Sequence, residues 1–176
     1  MAEGHPAGRG GPAVRGAPAG STPAVRRTHR YRLTVTWTGN LGEGTRTYRG
    51  YSRDHEAGGV GKPVIPGSSD PAFRGDPARW SPEELLVAAL SECHMLVHLH
   101  LCATAGIAVI AYADSPEGVM AEHADGSGEF TEVTLRPRVT LEDPSRDAEA
   151  RGLHARAHEL CFIARSVSFP VRCEPA

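Results

Sequence analysis

The sequence lacks any run approaching the roughly 18 uninterrupted apolar residues of a membrane-spanning helix, so no membrane partner is expected. It lacks an excess of either charge as well: 19 Lys and Arg stand against 21 Asp and Glu, a formal net charge of −2. A chain so balanced offers no bulk basic surface to track a phosphate backbone, and nucleic acid is not an expected partner. Its four cysteines, Cys93, Cys102, Cys161 and Cys173, include no Cys-x-x-Cys spacing of a zinc knuckle or a thioredoxin-like motif. The first 27 residues lack aromatic side chains and hold six Gly, four Pro, six Ala and four Arg. Such a segment buries too little apolar surface to offset its ordering entropy, so residues 1–27 read as a disordered arm. They also lack the roughly 7–15-residue apolar core of a secretory signal. A cytoplasmic protein is expected.

What remains suits one ordinary domain, residues 28–176, in a chain of 176 residues that is 40% hydrophobic and 23% charged. Tyr31, Leu33, Val35 and Trp37 alternate with Arg32, Thr34 and Thr36, the period of a half-buried strand. After turn chemistry at Gly39-Asn40 and Gly42-Glu43-Gly44, Thr45–Tyr51 is expected to return as the second strand of a hairpin. Residues 53–80, rich in Gly and Pro, read as loop. Ser81, Pro82 and Glu84 then form an N-cap, a first-turn proline and a capping box. The helix they open runs to about Ala105 and stops at Gly106. Its apolar residues lie all round, which predicts a buried helix.

Ile107–Ala113 reads as a strand, and Phe130–Leu141 alternates through Val133, Leu135 and Val139. Asp143-Pro144 opens a second helix expected to reach about Arg165, with Leu153, Ala157, Leu160, Cys161 and Ala164 on one face. Val167–Arg172 is a plausible last strand. Strands, helix, strands, helix, strand make an α+β pattern.

Cys93 and Cys161 each fall on a buried helical face. If both helices pack in one core, the two sulfurs could approach within disulfide range; two inert core thiols are the alternative. A reactive thiol in mid-helix gains nothing from the positive helix end, so a cation must stabilise its thiolate. Arg74 and Arg79, in the loop just before the helix, are the candidates.

Ser81-Pro82-Glu83-Glu84-Leu85-Leu86, Cys93 ten residues after Glu83, and Ala157-His158-Glu159-Leu160-Cys161 together resemble the OsmC/Ohr family of osmotically inducible and organic hydroperoxide resistance proteins. Trp37-Thr38-Gly39-Asn40, Pro66-Gly67-Ser68-Ser69-Asp70, Phe73-Arg74-Gly75-Asp76-Pro77 and Cys161–Pro170 extend the resemblance over about residues 29–175. It implies an α+β intertwined homodimer with active sites at the subunit interface. It also implies a thiol peroxidase that reduces organic hydroperoxides. Carried over by position, Cys93 is the peroxidatic and Cys161 the resolving cysteine, reset by an external dithiol. Glu83 is the carboxylate that pairs with a catalytic arginine. The Phe-Arg-Gly context of the OsmC branch favours Arg74 for that role; an Ohr-type arrangement would select Arg46, Arg49 or Arg53.

Two departures from the family pattern are Phe162, where many members carry Pro, and Glu92, a carboxylate directly before the proposed nucleophile. Geometry adds a condition. On one straight helix Glu83 and Cys93 lie roughly 15 Å apart along the axis, so one arginine serves both only if the helix breaks or the side chain bridges along it.

No metal, flavin or haem is required by this chemistry. A rival reading rests on His94 and His98, spaced i, i+4 on one helix face, a spacing that can bring two imidazoles to one metal. His154 and His158 repeat it on the second helix. Pocket-lining or hydrogen-bonded core histidines are the expected state, and Cys102 and Cys173 read as packing cysteines. Trp37 and Trp80 are expected in the core or an interface, with Trp80 also suited to line a substrate pocket.

Overall fold

The Ser81 hydroxyl accepts from the Glu84 amide at 3.2 Å, and the Glu84 carboxylate accepts from the Ser81 amide at 2.8 Å. This reciprocal cap starts helix α1 (Pro82–Thr104), and Gly106 ends it in a left-handed conformation at φ +67°. Every fourth residue along one stripe, Leu90, His94, His98 and Cys102, is buried. Helix α2 (Asp147–Leu160) faces α1 with Ala150, His154 and Ala157, whose two alanines allow a close approach.

The computed structural model describes residues 27–176; the expected arm lies, but for Arg27, outside them. Strands β1 (Thr34–Trp37), β2 (His55–Gly58) and β3 (Ile65–Gly67) form one antiparallel sheet. Strand β4 (Val109–Ala113) pairs antiparallel with β7 (Arg138–Leu141). Strand β5 (Glu117–Glu122) pairs antiparallel with β6 (Gly128–Leu135), and β6 pairs parallel with β8 (Val171–Cys173). A parallel return needs a crossover, and α2 lies in the chain between these two strands. Two buried clusters hold the domain together: Cys102, Ile107, Leu141 and Ala150 near one end of α1, and Leu90, Val133 and Leu135 near its middle.

The α+β order agrees with the sequence, and several element limits differ. The strand that returns to β1 is His55–Gly58, in the stretch expected to be loop, and Thr45–Tyr51 is coiled into turns. The Arg53 guanidinium donates to the Tyr51 and Tyr48 carbonyls at 2.7 and 2.8 Å and lies over both tyrosine rings, which bends the segment away from a ladder. Pro137, without an amide hydrogen, divides the expected Phe130–Leu141 strand into β6 and β7. Helix α2 stops at Leu160 because Cys161 turns extended, at ψ 111°, and a separate 3-10 turn follows at Ala164–Ser166.

Helix α1 is less buried than its composition predicts. Outside the one stripe most of its apolar residues are only partly buried, and Leu96 is 62% exposed. Its length and apolar content would suffice to cross a membrane, yet its first turn carries Glu83 and Glu84 and its buried stripe packs on α2.

Candidate active site

The packing of α1 on α2 brings the two cysteines together. Cys161, which closes α2, is buried, and its thiol lies close enough to Cys93, half-buried on α1, to be influenced by it. The Cys161 sulfur also accepts from the Ala164 amide at 3.4 Å, a bond that the extended turn at Cys161 makes possible. Burial first, and then the neighbouring Cys93 thiol, push the Cys161 thiol up to about 11. Cys161 is therefore a thiol at neutral pH. All four cysteines are free. Glu92 and Phe162, the two departures, both point outward, Phe162 at 76% exposed.

Glu83 lies at the mouth of a groove of about 530 Å³ lined by Trp80, Val87, Gly118, Met120 and Phe130. A Cβ on Gly118 would meet the Phe130 and Val87 side chains at 2.7 Å, so any larger residue there would displace the groove's apolar lining. One Glu83 oxygen, Oε2, is buried with no hydrogen-bond partner among the described residues. A buried carboxylate oxygen left unpaired is costly, which marks the position as one that expects a donor.

That donor is not supplied where the sequence placed it. Arg74 ends the 3-10 turn Pro71–Phe73 in a left-handed conformation at φ 69°, and its side chain is exposed. Among the described residues no ion pair joins Glu83 to Arg74 or to another cation. Arg79 is engaged by Asp54 and Asp76 at 3.6 and 3.8 Å, Arg53 by the two tyrosines, and Arg46 and Arg49 are exposed. Because α1 runs unbroken, Glu83 and Cys93 stay roughly 15 Å apart along its axis. One guanidinium of this chain cannot hydrogen-bond both.

A second group converges beneath this site. His94 Nε2 and His154 Nδ1 are 2.9 Å apart, and the Cys173 sulfur is 3.5 Å from His94 Nε2. The His98 and His154 rings stack at 3.9 Å between centroids. His98 Nε2 faces the Ala150 carbonyl at 3.0 Å, and its ring touches the Cys102 sulfur. His98 is thus a hydrogen-bonded core histidine. Burial, then the proximity of His98, hold His94 down to about 4; burial, then His98 and His94, hold His154 down to about 3. Both imidazoles are neutral near pH 7. The sequence singled out His94 but missed Cys173, a half-buried residue on a strand 79 positions away that no local spacing connects to it.

The family described as OsmC-like protein matches residues 75–175. An OsmC-like protein of unknown function from Vibrio cholerae is 35% identical, over 85% of this chain and 100% of that one, with a TM-score of 0.76. An organic hydroperoxide resistance protein from Elizabethkingia anophelis shares 17% identity over 85% of this chain and 99% of its own, with a TM-score of 0.61. The organic hydroperoxide resistance protein OhrB of Bacillus subtilis shares 19% over 83% and 98%, with a TM-score of 0.58. At those identities the last two establish a common fold. No curated protein matches the chain.

Proposed function

Since the chain belongs to the OsmC-like family, we propose that it is a thiol-dependent peroxidase that reduces organic hydroperoxides. The observation that carries this reading is the proximity of Cys93 and Cys161 across the α1–α2 packing. The Cys93 thiolate attacks the terminal peroxide oxygen, and the O–O bond breaks. The leaving alkoxide takes a proton and departs as alcohol, while Cys93 is oxidised to the sulfenic acid. The Cys161 sulfur then displaces water from that sulfenic acid to form the disulfide. An external dithiol reduces it, becoming a disulfide itself. Two relatives of the same fold are named organic hydroperoxide resistance proteins, which supports the substrate class.

In this reading the apolar groove beside Glu83 receives the organic part of the hydroperoxide. A guanidinium completes Glu83 Oε2, and Arg74 is the candidate, four residues from the groove-lining Asp70. The protein works as a homodimer: Leu33, Val35 and Trp37 around β1 and Leu96 on α1 leave apolar surface uncovered in a single chain, which a second copy would bury. The test is turnover of cumene hydroperoxide with dithiothreitol. Cys93→Ser should abolish it and Cys102→Ser should keep most of it. Equal rates in wild type and Cys93→Ser would overturn the assignment and leave the groove as a site of ligand binding alone.

A further inference from the structure

We propose that His94, His154 and Cys173 form a zinc site, separate from the Cys93–Cys161 pair and assembled from α1, α2 and β8. The three donor atoms lie within 4.8 Å of one another. A tetrahedral zinc ion with ordinary bond lengths separates two nitrogen ligands by about 3.3 Å and a nitrogen and a sulfur by about 3.6 Å. The observed 2.9 Å between His94 Nε2 and His154 Nδ1, and 3.5 Å between Cys173 Sγ and His94 Nε2, need only small adjustment. Two imidazoles and a thiolate are a borderline-soft donor set, suited to zinc and poorly suited to magnesium or calcium.

The surroundings favour the ion. The Asp114 carboxylate lies close enough to act on both His94 and Cys173. It is fixed there by the Ser91 hydroxyl at 2.6 Å and the Arg136 amide at 2.7 Å. A fixed carboxylate supplies negative charge around a dication without being a ligand. The Tyr112 hydroxyl, near enough to Cys173 to be influenced by it, is buried with no partner among the described residues. His154 and Cys173 also line a groove of about 540 Å³ together with His158 and Glu159. That groove gives the ion an entry route and room for an external fourth ligand, the open position that distinguishes reactive zinc sites from closed structural ones.

Binding exchanges one proton. Zn²⁺ replaces H⁺ on the Cys173 sulfur, and both imidazoles coordinate through ring-nitrogen lone pairs. The ligands exclude Cys93 and Cys161. They exclude His98 too, because its Nε2 faces the Ala150 carbonyl.

The experiment is zinc titration of chelator-treated, fully reduced protein by calorimetry in buffers of different ionisation enthalpy, with Co²⁺ as a spectroscopic substitute. The expected result is one ion per chain, one proton released, and a thiolate-to-cobalt charge-transfer band. Cys173→Ala should remove that band. It and His154→Asn should each weaken zinc by more than about 100-fold, the range already reached by losing an outer-shell partner. Cys93→Ser should bind zinc like wild type. Melting curves show which variants fold, and Cys173→Ala, at a half-buried site, is the decisive one if His154→Asn does not. Unchanged zinc affinity in Cys173→Ala, or loss of binding in folded Cys93→Ser or folded Cys161→Ser, would overturn the site. Failure of wild type to bind zinc would overturn it as well, and none of these results bears on hydroperoxide turnover by the cysteine pair.

Discussion

Cys161 lies beside Cys93 while its own sulfur accepts from the Ala164 amide. The thiol proposed to resolve is therefore held in place by its backbone neighbour before any oxidation occurs. Pre-positioning of this kind replaces a search by a local collision and favours an intramolecular product.

Stoichiometric hydroperoxide should accordingly give a single Cys93–Cys161 disulfide, read as one linked peptide pair by mass spectrometry. An oxidised pair made of Cys93 and Cys102 would assign resolution to another thiol.

Alkylation of Cys161 should be suppressed at neutral pH. Its thiol is raised to about 11, so the reactive thiolate is scarce below that pH and grows about tenfold per pH unit on approach to it. In Cys93→Ser the neighbouring thiol is lost but burial, the larger cause, persists, and the profile should stay on the alkaline side of an ordinary cysteine. Peptide-resolved iodoacetamide rates between pH 7 and 11 check this.

Arg74→Ala should lower kcat/KM for hydroperoxide by about tenfold for each ~1.4 kcal/mol of lost transition-state stabilisation. Glu83→Gln should act in the same direction, because an amide cannot fix a guanidinium through two charged oxygens. Arg74→Lys should restore only part of the rate. An Arg74→Ala enzyme with wild-type kinetics would remove Arg74 from the site, and parallel Arg46→Ala and Arg79→Ala variants would identify its replacement.

Acid should destabilise the metal-free protein through its buried histidines. His94 and His154 have folded values of about 4 and about 3, below the usual 6.5. The unfolded chain therefore binds protons first as pH falls. The stability these groups contribute is complete above about pH 6.5 and is lost progressively down to about pH 3–4, at up to ~1.4 kcal/mol per pH unit for each histidine. His98, His158, Asp114 and Arg151 face the pair and set the detail of the slope. Urea denaturation between pH 4.5 and 7 measures it, and His154→Gln should flatten it by about one proton.

The start of α1 was legible because a capping box is written in four consecutive residues. The approach of Cys93 to Cys161 was legible as a possibility, since helical periodicity put both on inward faces; the proximity itself depends on how α1 and α2 pack, which no local pattern encodes. Strand β5 was missed because five of its six residues are exposed in a single chain and no inside-outside alternation marks it. The hairpin was misplaced for the opposite reason: Thr45–Tyr51 has strand-like composition, and Arg53 overrides it by binding the tyrosine carbonyls. Arg74 was placed by likeness, and its exposed side chain shows that likeness fixes a position without fixing its contacts.

The parallel seam between β6 and β8 has only three residue pairs, with Val133 opposite Val171 and Leu135 opposite Cys173. A slip of one residue would turn Cys173 to the opposite face and present Arg172 in its place, a cation where His94 and His154 meet. Two fasteners oppose such a slip: Arg172 donates to the Glu132 carboxylate at 3.2 Å, and the Glu174 amide donates to the Leu135 carbonyl at 2.9 Å. These surface contacts act as a register lock, which ties the chemistry available at the heart of the helix pair to one correctly seated strand.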